Sequence, residues 1–133
     1  MNHQDLKRDA KLVLENGFIF EGYSFGSKGL VIGEIVFNTG MTGYQEVMTD
    51  PSYFGQIITF TYPEIGNTGI NFEDSESEKN IVQAIIVRNF SNNLSNWRSK
   101  LTFNDWLIKN NVIGLYGIDT RALVKILRKY GSM

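Results

Sequence analysis

The chain has no cysteine, one histidine and two prolines among its 133 residues. Without cysteine there is no disulfide, no thiolate metal ligand and no sulfur nucleophile, and the composition suits a reducing compartment. The one histidine, His3, lies in the polar opening Met1-Asn2-His3-Gln4-Asp5-Leu6-Lys7-Arg8-Asp9-Ala10. It has no His, Asp or Glu at metal-ligand spacing, and with no histidine outside this opening an ordinary Ser-His-Asp triad is not expected. The opening also lacks the apolar core of a secretory signal, so residues 1–10 are expected to be a disordered leader. No apolar run approaches the ~20 residues that span a bilayer, so no membrane partner is expected, and the expected setting is cytoplasmic, or else an organelle interior. With 13 basic and 14 acidic residues the net charge is -1. That leaves no basic stripe to release counterions from phosphates, and nucleic-acid binding is not expected.

What is present is a core. The hydrophobic fraction is 42% and the charged fraction 20%, a globular composition. A single domain of this length buries roughly two thirds of its unfolded surface. Lys11-Leu12-Val13-Leu14-Glu15 reads as a first strand. Asn16-Gly17 signals a two-residue hairpin into a second strand over Phe18 to Phe25. Leu30 to Asn38 is a third, rich in β-branched residues. Thr42 and Gln45 have capping-box spacing, which predicts a short helix over Gly43 to Met48. Asp50-Pro51-Ser52-Tyr53 has the residues of a type I turn. Gln56 to Tyr62 and Asn80 to Val87 are further strands, the latter apolar enough for burial on both faces.

Between them, Glu64 to Lys79 is polar, acidic and rich in turn residues, and reads as a long loop. Arg88 to Lys100 is expected to be irregular. A helix capped near Thr102 and running to about Asn110 would bury Phe103, Trp106 and Leu107. After a short strand over Val112 to Tyr116, Asp119 or Thr120 caps a last helix. Its apolar stripe is Leu123, Ile126, Leu127 and Tyr130, and Lys125, Arg128 and Lys129 lie toward its C-terminus. Gly131 follows as a stop. About six strands with two or three late helices predict a mixed α/β or α+β domain, with the helices on one side of a sheet.

Few residues single themselves out chemically. The acidic run Glu73 to Glu78 lacks the order and central glycine of an EF-hand, so a solvated loop is expected there. No P-loop sequence occurs. Gly40-Met41-Thr42-Gly43-Tyr44-Gln45 would put exposed N–H groups at a helix mouth, or would simply turn the chain. Trp97-Arg98 would suit an interface hot spot, or would plug the core beneath a loop. Ser52 offers a hydroxyl on a rigid turn, a commonplace arrangement by itself.

One ordered series of segments goes further. Gly33-Glu34-Ile35-Val36-Phe37-Asn38-Thr39-Gly40-Met41-Thr42-Gly43-Tyr44-Gln45-Glu46 runs into Asp50-Pro51-Ser52-Tyr53. Gln56-Ile57, Thr61-Tyr62-Pro63, Ile65-Gly66-Asn67, Ser95-Asn96-Trp97-Arg98 and Gly117-Ile118-Asp119-Thr120-Arg121-Ala122-Leu123 follow in order. From about Leu12 onward the chain resembles the amino-terminal domain of the small, glutamine-hydrolysing subunit of carbamoyl-phosphate synthetase. The departures are a longer polar leader and the pair Asn92-Asn93.

The resemblance implies a swivelling β/β/α-type domain over 11–133, with no catalytic residue of its own. It implies that the family's second domain, a class I glutamine amidotransferase with a Cys-His-Glu triad, is absent here and would lie beyond Met133. It implies a scaffold for that domain that docks on the large synthetase subunit. There, ammonia from glutamine meets bicarbonate activated by ATP, with Mg, to give carbamoyl phosphate for pyrimidine and arginine synthesis. No cofactor is expected on this domain. Ser52 is the one contact carried over, near the glutamine, as a helper and not a nucleophile, since no base in this chain could activate it. The competing reading is a free-standing interaction module with no amidotransferase partner.

Overall fold

The computed structural model describes residues 8–39, 47–48, 50–61, 65–66, 82–91, 103–131 and 133. Strands β1 (Ala10–Val13), β2 (Ile19–Gly26), β3 (Ile35–Asn38), β4 (Ile57–Phe60), β6 (Ala84–Ile86) and β8 (Ile113–Tyr116) form one sheet in the order β1-β2-β8-β6-β4-β3. The β1/β2 and β2/β8 pairs are antiparallel, and β8, β6, β4 and β3 run parallel. The very short β5 (Ile65–Gly66) and β7 (Phe90–Ser91) pair in a second sheet. Helix α1 spans Phe103–Lys109 and α2 spans Thr120–Tyr130. This is the mixed α/β architecture expected.

Both faces of the central strands are covered. Every residue of β4 and β6 is buried, which is why these segments carry no alternation of apolar and polar residues. Ile58, Ile85 and Val87 point to one core with Phe103, Trp106 and Leu107 of α1. Ile57, Ala84 and Ile86 point to the other, with Leu123 and Leu127 of α2. The helices therefore lie on opposite faces, not on one side. The two short segments Val112 to Tyr116 and Gly117 to Asp119 carry the chain from α1 through the sheet to α2.

Several boundaries move for physical reasons. Five residues separate β1 from β2, and Leu14 N–H donating to the Phe18 carbonyl at 2.9 Å leaves three of them, Glu15 to Gly17, in the turn. Gly17 has φ +95°, while Asn16 is not left-handed, so the two-residue turn with both positions positive does not form. The expected third strand keeps only its last four residues; Leu30 and Ile32 stay exposed. Ile65–Gly66 and Phe90–Ser91, expected as loop and irregular chain, pair as β5 and β7. Phe90 explains the second, because its ring stacks on Phe25 at 4.3 Å. Tyr130, assigned to the apolar stripe of α2, is 55% exposed.

Of the segment read as a leader, residues 8–10 are described and hold to the sheet. Ala10 opens β1, Arg8 Nη1 donates to the Glu21 carbonyl at 2.7 Å, and Asp9 accepts from the Ser24 N–H and hydroxyl. The expected helix over Gly43 to Met48 lies outside the described residues except for Val47 and Met48, which are helical.

Gly114 shows how tightly the first core is filled. A Cβ there would stand 2.6–2.8 Å from three carbons of the Phe25 ring, which is held between Phe90, Phe103 and Tyr116. Gly114→Ala is expected to cost about 1–3 kcal/mol by overpacking. Chemical denaturation measures it, and an unchanged midpoint would show that Phe25 has room to move.

Candidate functional site

Ser52 sits at the amino end of β4, in a single 3₁₀ turn over Pro51–Tyr53. The sequence dictates the turn. Pro51 presets φ and has no N–H to lose at the first helical position. Asp50 caps it, and its Oδ1 accepts both the Ser52 N–H at 2.9 Å and the Ser52 hydroxyl at 2.8 Å. Backbone bonds from Tyr53 N–H to Asp50 O and from Phe54 N–H to Pro51 O close the turn. Tyr53 packs against the first core, so the turn is anchored from below while Ser52 itself is exposed.

A second set of contacts holds the turn laterally. Gly55 follows with φ +77°, and Gln83 Nε2 donates to its carbonyl at 2.6 Å and to the Ile32 carbonyl at 3.1 Å. Gly33 lies against this pair, where a Cβ would stand 2.8 Å from the Gly55 oxygen. One amide thus ties the segment before β3 to the turn before β4. Beside the turn, Ile32 is 85% exposed and Phe54 62% exposed.

The expected turn is present, but what fixes the hydroxyl is different. A rigid turn alone leaves the hydroxyl free to rotate, whereas the Asp50 carboxylate holds Ser52 Oγ directly. Asp at the first position and Ser two residues later is the signal that could have found this. Because the hydroxyl proton is engaged, Ser52 Oγ presents lone pairs outward and can accept from a ligand N–H. The Ser52 N–H, and then the Ser52 hydroxyl, hold the Asp50 carboxyl below the usual carboxylate value. A carboxylate so stabilised is a weak base, so the pair orients the hydroxyl and does not activate it.

The sign of the pH dependence follows. A depressed carboxyl favours the folded arrangement above its unfolded pKa and loses that contribution as pH falls through the folded value. The clamp is therefore intact at neutral pH and opens only in acid, below the usual aspartate range. A carboxyl-detected NMR titration is expected to place the Asp50 midpoint below that of a free aspartate. An ordinary or raised midpoint would contradict the clamp.

Among the described residues no three of His, Asp and Glu gather as a metal site, and no helix is long and apolar enough to cross a membrane. His3, Gly40 to Gln45, the Glu73 to Glu78 run and Trp97-Arg98 all lie outside the described residues.

Fold and turn together define a mixed α/β domain that offers a clamped, exposed hydroxyl beside bare apolar side chains. The family described as carbamoyl-phosphate synthase small chain, CPSase domain, matches residues 12–133, and the chain belongs to that family. A carbamoyl phosphate synthase small chain of Synechocystis is 57% identical over 126 residues, 95% of this chain and 33% of its own. One of Clostridium perfringens is 59% identical over 124 residues, 93% of this chain and 36% of its own. A chloroplastic one of Oryza sativa is 50% identical over 125 residues, 94% of this chain and 28% of its own. The chain spans about a third of the length of the curated relatives it matches.

Proposed function

We propose that this chain is the amino-terminal, non-catalytic domain of the glutaminase subunit of a glutamine-dependent carbamoyl-phosphate synthase. Its work is to pack on the amidotransferase domain of its own polypeptide, to touch glutamine through Ser52, and to dock that subunit on the large one. ATP and Mg belong to the large subunit in this reading, as do the steps that make carbamoyl phosphate for pyrimidine and arginine synthesis. The compartment is the cytoplasm, though a plant relative is named chloroplastic.

The observation that carries the reading is the Ser52 turn with its apolar flank. A domain with no thiol contributes to glutamine chemistry by holding a ligand atom, and the Asp50 clamp fixes a hydroxyl for that purpose. A site for glutamine assembled from two domains must place the second domain against Ser52. Ile32 and Phe54 adjoin that position and are exposed. Exposed apolar side chains beside a polar contact mark surfaces that are covered in the working molecule. The end of the described chain is also near, since Ile35 N–H donates to the Met133 carbonyl at 2.7 Å.

Size-exclusion chromatography of the full-length small chain with the large subunit tests the docking. Comigration at micromolar concentration is expected. Separate elution of two folded partners would favour the free-standing interaction module.

A further inference from the structure

The four parallel strands end together at the edge of the sheet opposite Ser52. Thr39 follows β3, Thr61 follows β4 and Arg88 follows β6 by two residues. The chain leaving β8 starts α2 at the same edge. These segments enclose a pocket of about 320 Å³, walled by Arg88, Arg121, Lys125 and Arg128 with Thr39 and Thr61. Thr120, the first residue of α2, also lines it. We propose that this pocket binds a phosphate group, either free phosphate or a small phosphate monoester.

Three independent observations converge. First, four cations line one pocket and no carboxylate lines it among the described residues, in a chain whose net charge is only -1. Like charges gathered around a concavity raise its potential and are relieved by an anion. Second, the cations are arranged by the fold. Arg121, Lys125 and Arg128 lie at i, i+4 and i+7, one face of α2, and Arg88 reaches the pocket from the end of β6. Arg128 is braced over the Phe37 ring of β3 at 5.3 Å. Third, Arg121 stands in the first turn of α2, where the helix dipole disfavours a cation, and that turn contains no acid. The Asp119 carboxylate just before it accepts from Ala122 N–H at 3.0 Å and is engaged in capping.

The location agrees with a general property of α/β sheets. Ligands bind in the crevice outside the carboxyl ends of parallel strands, where helix N-termini point inward. Three guanidinium groups favour phosphate over a carboxylate, because planar forks bind a dianion with several oxygens. Thr39 adds a neutral hydroxyl, while the Thr61 hydroxyl donates to the Asn38 carbonyl at 3.2 Å and offers its oxygen only as an acceptor. The pocket volume lies at the lower end of small-molecule sites, which suits a phosphate carrying a small organic group at most.

Calorimetric titration of the full-length small chain, without the large subunit, tests the proposal at fixed ionic strength. Inorganic phosphate is expected to bind one saturable site, to be displaced by sulfate, and to ignore acetate. Arg88→Gln and Arg121→Gln are each expected to weaken binding about tenfold or more, as for loss of a charged hydrogen bond. Lys125→Gln, on an exposed helix position, repeats the test should either arginine variant fail to fold. Lys11→Gln, on β1, should change nothing. Glycerol phosphate separates the two sources: tighter binding than phosphate assigns a phosphorylated metabolite, weaker binding assigns the free ion. Absence of saturable binding up to about 10 mM phosphate would overturn the site. So would arginine variants that bind as well as the parent, or acetate that binds as well as phosphate.

Discussion

Trp106→Ala is expected to destabilise the domain by about 3–5 kcal/mol, a large share of the total stability of a domain this size. Trp106 is the largest of the fully buried side chains. It stands on α1 between Phe103 and Leu107 and packs into the core under β4 and β6. Truncation would remove the lining of that core and leave a cavity too well framed to collapse. The frame is rigid because β4 and β6 are buried on both faces and cannot move toward one helix without leaving the other. Denaturant unfolding followed by circular dichroism reads the loss. A change below about 1 kcal/mol would mean that α1 is not integral to the core.

The second large effect is functional. Placing charges at the flank of the Ser52 turn, as Ile32→Glu with Phe54→Glu, is expected to detach this domain from the amidotransferase domain in the full-length protein. Both side chains are exposed here, so the fold of this domain should keep its stability to within about 0.5 kcal/mol. Central apolar contacts at interfaces are worth about 2 kcal/mol or more each, and a buried unpaired charge costs further. Small-angle scattering should therefore show a more extended subunit, with glutamine-dependent synthesis falling by more than tenfold. An unchanged radius of gyration and unchanged activity would place the interface elsewhere.

The two effects also show what the sequence made legible. Phe103, Trp106 and Leu107 fall at helical spacing, and the structure buries all three. The continuous apolar end of Asn80 to Val87 announces burial on both faces, and β6 is buried throughout. Register and partner choice were hidden, because they depend on residues far apart. Phe90 looks like one aromatic in irregular chain until Phe25 is placed beneath it. Arg8 and Asp9 read as solvated leader, yet they dock by hydrogen bonds to Glu21, Gly117 and Ser24. Polar anchors of this kind carry no periodicity. Tyr130 obeys the helical period and still faces solvent, although Leu127 in the same turn is buried.

The same contrast holds for the sites. Ser52 stands out as a ligand contact only through a resemblance, and the turn chemistry of Asp50-Pro51-Ser52 accounts for its rigidity. The clamp by Asp50 was readable from spacing but needed the geometry to show that the hydroxyl proton is engaged. The basic pocket could not be read at all. Arg121, Lys125 and Arg128 share a helix face, but Arg88 and the two threonines join them only when parallel strands end at one edge. By sequence Lys125 and Arg128 complement the helix C-terminus; the pocket gives their face of α2 a second meaning.

The proposed role, holding glutamine without doing chemistry, is tested by Ser52→Ala in the full-length, two-subunit synthase. Carbamoyl phosphate formation should be measured twice, once with glutamine and once with ammonia supplied in its place. Loss of one neutral hydrogen bond, about 0.5–1.5 kcal/mol, is expected to raise the glutamine requirement by roughly two- to tenfold. The ammonia-driven rate should not change. An unaltered glutamine requirement, or an equal fall in both rates, would contradict the account.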